Sequence, residues 1–211
     1  MLDFSVIHSS RNSNDWLLVQ PVGKHDVFYL EDEVKRIGEL TNSGFTHVGV
    51  RIDQWQSQLS PWPAPAIWGD EPFGDGAEDT LRHILSKVVV SFPPKRICIG
   101  GYSLAGLFAL WAATQTDIFE AVAAVSPSVW FPKWTDYSEQ NPTKARRVYL
   151  SLGDKEARTR HPLMRTVADN IQRQYDMLQC DKKLEWNPGN HFMQPAERMA
   201  KGFAWVMNDM F

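Results

Sequence analysis

Arg96-Ile-Cys-Ile-Gly-Gly-Tyr-Ser-Leu-Ala-Gly-Leu-Phe-Ala-Leu-Trp-Ala-Ala113 is the stretch on which the fold turns. Arg96 to Gly100 is a short apolar run of the length of a buried strand. Leu104 to Ala113 is apolar almost all round, so as a helix it belongs in the middle of the molecule. Between them, Gly101-Tyr-Ser-Leu-Ala105 turns strand into helix, the context that a G-x-S-x-G nucleophile elbow requires. The serine of such an elbow sits on strained backbone, and its flanking positions must be small. Ala105 stands at the last of these, with Gly106 directly after it; a methyl is tolerable there and a large side chain is not. Ser103 is therefore the candidate nucleophile. The helix N-terminus beyond it, beginning at Leu104, offers N–H groups and a positive dipole end to a developing oxyanion. The bland alternative is a tight turn holding an inert serine.

Outward from this centre, short apolar runs alternate with amphipathic ones. Towards the N-terminus, Trp16 to Gln20 reads as a strand stopped by Pro21 and Gly23, Asp32 to Thr41 as a helix, and Thr46 to Ile52 as a strand. A long loop, 53–75, carries Ser60-Pro-Trp-Pro-Ala-Pro65, whose prolines lack the N–H that a helix or central strand needs. Glu78 to Phe92 is then a helix, stopped by Pro93-Pro94. Towards the C-terminus come strands at Phe119 to Val125, Arg147 to Leu152 and Lys183 to Trp186, with helices at His161 to Gln179 and Pro195 to Phe211. Alternation of this kind predicts an α/β domain spanning 1–211: a mainly parallel sheet of about six strands with helices on both faces. The strands' C-terminal ends then line one edge, where sites in open sheets gather.

A serine attacks only when a base takes its proton and an acid orients that base. In a fold of this kind the chain order is serine, acid, histidine. Of six histidines only His161 and His191 follow Ser103, and His161 opens a helix with a strand still to come. His191, in the turn-rich Trp186-Asn-Pro-Gly-Asn-His-Phe192, lies after the final strand and before the closing helix. The acid should leave the strand that ends at Leu152. Gly153-Asp-Lys-Glu156 supplies Glu156, with Asp154 as the alternative; the bland reading of either is a solvated turn carboxylate. A second oxyanion donor should come from Pro21-Val-Gly-Lys-His25, at Val22 or Gly23, and His25 is a candidate for the pocket border. Tyr102 adjoins the serine. Nine tryptophans are many for 211 residues. Trp62, Trp68, Trp130 and Trp134 fall in Pro/Gly-rich loops, where they either anchor the loop or, as expected of Trp62, Trp68 and Trp130, wall an apolar pocket.

Composition narrows the function classes. With 43% apolar residues, 22% charged residues and a formal net charge of -3, mixed in sign along the chain, nothing argues for nucleic acid or an anionic membrane as partner. Cys98 and Cys180 are too few for a disulfide framework and suit a reducing compartment. The first residues lack the basic and apolar segments of a signal peptide, and no apolar stretch is long enough to span a bilayer; a cytoplasmic protein is expected. The scattered histidines and isolated cysteines predict no metal site, and the glycines before Ser103 match no phosphate- or dinucleotide-binding pattern. No cofactor is expected.

The segments Gly100-Gly-Tyr-Ser-Leu-Ala-Gly-Leu-Phe-Ala-Leu-Trp111, Ser126-Pro-Ser-Val-Trp130, Ser151-Leu-Gly-Asp-Lys-Glu156 and Gly189-Asn-His-Phe192 resemble the α/β-hydrolase superfamily, near the esterase D-type esterases that include siderophore esterases. The similarity runs over most of the chain. It implies an α/β-hydrolase fold, with Ser103 as nucleophile, His191 as base and Glu156 as orienting acid. Departures are Ala105 in place of the usual glycine, no His-Gly motif after the first strand, and a sheet reduced at its N-terminus. The expected activity is hydrolysis of a small-molecule carboxylic ester or thioester through an acyl-enzyme. A catalytically degenerate binding protein of this fold and an acyltransferase using the same residues are the alternatives.

Overall fold

Among the described residues, seven strands form one sheet: β1 (Asp3–Ile7), β2 (Trp16–Gly23), β3 (Phe45–Ile52), β4 (Arg96–Tyr102), β5 (Ala121–Val125), β6 (Arg147–Gly153) and β7 (Asp181–Asn187). This computed structural model describes residues 3–7, 15–24, 26–67, 69–92 and 96–208. The spatial order is β1-β3-β2-β4-β5-β6-β7. Strands β2 to β7 are parallel, as expected, and β1 adds an antiparallel edge to β3 with Ser5 opposite Gly49. The sheet is thus less reduced at its N-terminal end than the sequence predicts. A five-residue edge strand is defined by the open edge of its partner more than by its own pattern, which explains the omission.

Strand periodicity sorts the core. Leu17 and Val19 face one side and Trp16 and Leu18 the other, because successive side chains of a strand alternate. Helices α1 (Leu30–Leu40) and α7 (Pro195–Met207) cover the face of Trp16, Leu18 and Tyr149. Helices α3 (Ala77–His83), α4 (Leu104–Gln115) and α6 (Val167–Met177) cover the face of Leu17, Val19 and Leu150. Every residue of α4 from Leu104 to Ala113 is buried, as its all-round apolar surface demands. Cys98 is buried and Cys180 half-buried, and both are free thiols.

Three expectations are corrected. Strand β2 runs through Pro21 to Gly23 instead of stopping there. Trp16 donates its N–H to Gly44 O on the β3 side, so by alternation the nitrogen of residue 21 falls on the β4 side. Pairing with β4 has ended by then, at Val19 opposite Ile99, and no ladder bond is lost. The loop 53–75 is not structureless: it holds a short helix, α2 (Trp55–Leu59), and Ala64 bridges to Phe73. The helix expected at Glu78 to Phe92 continues past α3 as a widened turn over Ile84–Val89. A further short helix, α5 (Trp134–Gln140), follows β5. Helix α7 is described to Met207, and the expected helical residues 209–211 lie outside the described residues.

The chain passes from β2 outward to β3 and then back across to β4 on the other side of β2. Past Val19 and Ile99 the two central strands separate, opening a crevice at their C-terminal ends. Crevices at such a reversal of strand order are where open α/β sheets bind ligands.

Candidate active site

Ser103 follows β4 and precedes α4 with φ 59° and ψ −121°. This is a left-handed-side conformation that costs a non-glycine residue on the order of 1–3 kcal/mol. Its neighbours explain how the turn closes. A Cβ at Gly101 would lie 2.5 Å from the Ala105 carbonyl group, and one at Gly106 would lie 2.9 Å from Gly101 O. Strand end and helix start therefore touch backbone to backbone, and the Ala105 methyl fits only because residue 101 has none. Three backbone bonds hold the turn: Ser103 N–H to Val125 O at 3.0 Å, and Leu107 and Ser128 N–H to Ser103 O, each at 3.1 Å. The Ser103 hydroxyl lies 3.4 Å from Ser128 Oγ.

His191 stands on the loop between β7 and α7. Gly189, at φ 101°, supplies the sharp turn before it. Its imidazole Nδ1 is 2.8 Å from Glu156 Oε2. A carboxylate only accepts, so Nδ1 carries the proton of this contact. Glu156 is buried, and its other oxygen accepts from Ser126 Oγ at 2.7 Å, Gly153 N–H at 2.7 Å and Arg198 Nη1 at 3.0 Å. Burial alone would raise its pKa and is the largest single influence. The hydrogen bond and charge of His191, with the bonds from Ser126 and Gly153, outweigh it and hold the carboxyl below its ordinary value.

Of the two carboxylates open from the sequence, Glu156 is the one bonded to His191. Asp154 is exposed and accepts the Gly189 N–H at 2.7 Å, so it ties down the histidine loop from outside. Gly153 makes room for this crossing: a Cβ there would lie 2.5 Å from Gly189 O and 2.9 Å from Glu156 Oε1.

Ser103 and His191 line one cavity of about 630 Å3 at the crevice, together with Tyr102 and Val22. Tyr102 donates its hydroxyl to His191 O at 2.5 Å, and its ring lies 5.2 Å from the imidazole. Leu104 N–H opens α4 and, as a first-turn donor, has no intrahelical acceptor. The Gly23 N–H is donated to Asp26 Oδ2 at 3.1 Å, so that donor is occupied.

The pocket role expected of Trp62 and Trp130 is corrected. Trp62 packs on Phe131, Trp134 and Tyr137 and donates its indole N–H to Pro132 O at 2.9 Å. Trp130 is buried against Phe73. Both fasten their loops onto the core, and in Trp62 the aromatic body and the single N–H are satisfied together. Trp68 and His25 lie outside the described residues. Cavity-lining residues that the sequence reading missed include Trp55 of α2, Tyr29, Phe192 and the α1 pair Asp32–Arg36. Arg198 was also missed. Ser126 and Ser128 were noticed as a motif, but not as partners of Glu156 and Ser103. Among the described residues no group of three or more His, Cys, Asp or Glu could hold a metal ion, and no helix is long and apolar enough to cross a membrane.

The mainly parallel sheet covered on both faces, with Ser103, Glu156 and His191 gathered past the strand ends, has the fold of an α/β hydrolase. Within that class the chain belongs to the esterase family described as "Putative esterase", whose model matches residues 78–194, just over half of the chain. Ester hydrolysis by an α/β hydrolase is the activity that this membership supports. The fold is similar to that of siderophore hydrolase EstA from Aspergillus nidulans, at 17% identity and a TM-score of 0.73, covering 98% of this chain and 94% of that one. Siderophore hydrolase EstB of the same organism is similar at 18% identity and a TM-score of 0.73, covering 92% and 83%. Est1E from Butyrivibrio proteoclasticus, in a structure with bound ferulic acid, is similar at 16% identity and a TM-score of 0.60, covering 98% and 94%. No curated protein sequence matches the chain.

Proposed function

We propose that the protein hydrolyses a small-molecule carboxylic ester or thioester through an acyl-enzyme on Ser103. His191 acts as base and then acid, and Glu156 orients it. The observation that carries this reading is the 2.8 Å contact from Glu156 to Nδ1 of His191, a histidine that lines the same cavity as a serine held at φ 59°.

The reaction begins when the Ser103 hydroxyl turns from Ser128 towards His191 Nε2. Oγ attacks the carbonyl carbon as Nε2 takes its proton, and Glu156 stabilises the imidazolium through Nδ1–H without itself being protonated. Negative charge on the former carbonyl oxygen is met by Leu104 N–H and the positive end of α4. The second donor is sought at the end of β2, from Val22 or from Gly23 once its N–H exchanges Asp26 for the oxyanion. Collapse expels the alcohol or thiol with the proton from Nε2. Water, deprotonated by the same nitrogen, then attacks the acyl-enzyme and restores Ser103. The low pKa of Glu156 suits this role, since an ionised acid is needed throughout.

A panel of aryl esters and thioesters of increasing acyl length, run with Ser103→Ala and His191→Ala, tests the reading. Each substitution should lower kcat by about 10^4-fold or more while the fold persists. Turnover retained by purified Ser103→Ala would overturn it.

A further inference from the structure

Arg198 does not contact Ser103 or the His191 ring, yet its guanidinium meets several of the groups around them. It is 2% exposed on α7. Nη1 lies 3.0 Å from Glu156 Oε1, 3.2 Å from Ser126 Oγ and 3.2 Å from the Tyr102 hydroxyl. Nη2 donates to Pro188 O and Asn190 O, both at 3.1 Å. Those two carbonyls flank Gly189, and Asn190 immediately precedes His191. Tyr102 in turn precedes Ser103 and donates to His191 O. One planar fork thus braces the acid, the histidine loop and the residue before the serine.

We infer that Arg198 is a positioning residue of the reaction, which fixes the Glu156–His191 pair and tempers the hold of Glu156 on the histidine's proton. This rests on the proposed hydrolytic reading. A buried ion pair is a poor means of gaining stability, because desolvating both charges offsets most of their attraction. A role in function accounts better for placing one here. The geometry also has an electrostatic consequence. In the imidazolium state Glu156 stands between two cations, Arg198 on Oε1 and His191 on Oε2. Part of its charge is already matched, so it stabilises the imidazolium less than a lone carboxylate would. Removing Arg198 should therefore make His191 retain its proton to higher pH.

The other charged and titratable groups around His191 are Tyr102 against its ring, Asp154 on its loop through the Gly189 N–H and, lining the same cavity, the carboxylates Asp26, Asp32, Glu33 and Glu197 with Arg36. All are unchanged in the variants and cancel in the comparison. A lysine at position 198 keeps the charge but cannot reproduce the two-pronged grip on Glu156 and the loop carbonyls.

The experiment is the pH profile of kcat/KM for an aryl ester, measured on the full chain with Arg198→Met and Arg198→Lys, alongside Ser103→Ala. In Arg198→Met the acid limb should move up by about one pH unit. In Arg198→Lys it should stay near the parent's, while kcat falls about 10- to 100-fold with little change in KM, as misplacement of a reacting group requires. An unmoved acid limb in Arg198→Met, in an enzyme that turns over normally, would overturn the inference and leave Arg198 a structural staple. Should Arg198→Met fail to fold, an unchanged kcat in Arg198→Lys would overturn it equally. Turnover that survives Ser103→Ala is a separate outcome and defeats the hydrolytic reading instead.

Discussion

Glu156 and Asp154 are two residues apart and do different work. Asp154 holds the Gly189 N–H from the exposed side of the loop, whereas Glu156 is buried and bonded to His191. Glu156→Gln should lower kcat by about 10^3- to 10^4-fold, because an amide no longer fixes the imidazole tautomer. Asp154→Asn should cost about tenfold or less; a larger loss there would reverse the assignment. Stability gives an independent check. The folded pKa of Glu156 lies below its ordinary value, so its contribution is complete above the unfolded pKa and is lost as pH falls through the folded one. The Tm advantage of the parent over Glu156→Gln should therefore narrow below about pH 4.3, the ordinary glutamate value. Ser103 and His191 are reachable as candidates from the sequence because chain order leaves few choices once the elbow is found. The acid was narrowed to two by the end of β6, and the crossing at Gly153 that separates them is a tertiary contact. Arg198 was not legible: in a helix whose apolar positions include Met199, Phe203 and Val206 an arginine reads as solvated, and only the fold brings Glu156 to it.

At the scale of elements, the sheet and its central helices were readable from apolar runs. The loops were not, since tryptophan in a Pro-rich segment looks the same whether it walls a pocket or anchors a loop. Trp62 is an anchor, stacked 6.5 Å from Trp134 and bonded to Pro132. Trp62→Ala should cost about 3 kcal/mol of stability, the low end for such a truncation because the ring is half-buried. KM for a short aryl ester should be unaffected. Denaturant unfolding and steady-state kinetics on the same preparation check both, and a raised KM at unchanged stability would return Trp62 to the pocket. Trp55, by contrast, reaches the cavity because the stretch after β3 coils into α2 at the strand ends.

At the scale of the molecule, one reversal of strand order puts the site where it is. Strands β2 and β4 part beyond Val19 and Ile99, the elbow closes one side of the gap, and β6 and β7 bring acid and histidine to the same edge. Helix α7 then locks that edge from behind through Arg198. The consequence is that a single serine among many should be reactive. The most direct test is peptide-mapped mass spectrometry of the folded protein after brief exposure to a fluorophosphonate. One adduct on the peptide containing Ser103, abolished by prior unfolding and by Ser103→Ala, is the expected result. A folded protein that takes no label at Ser103, or takes it elsewhere while still turning over an aryl ester, would contradict the assignment of Ser103 as nucleophile.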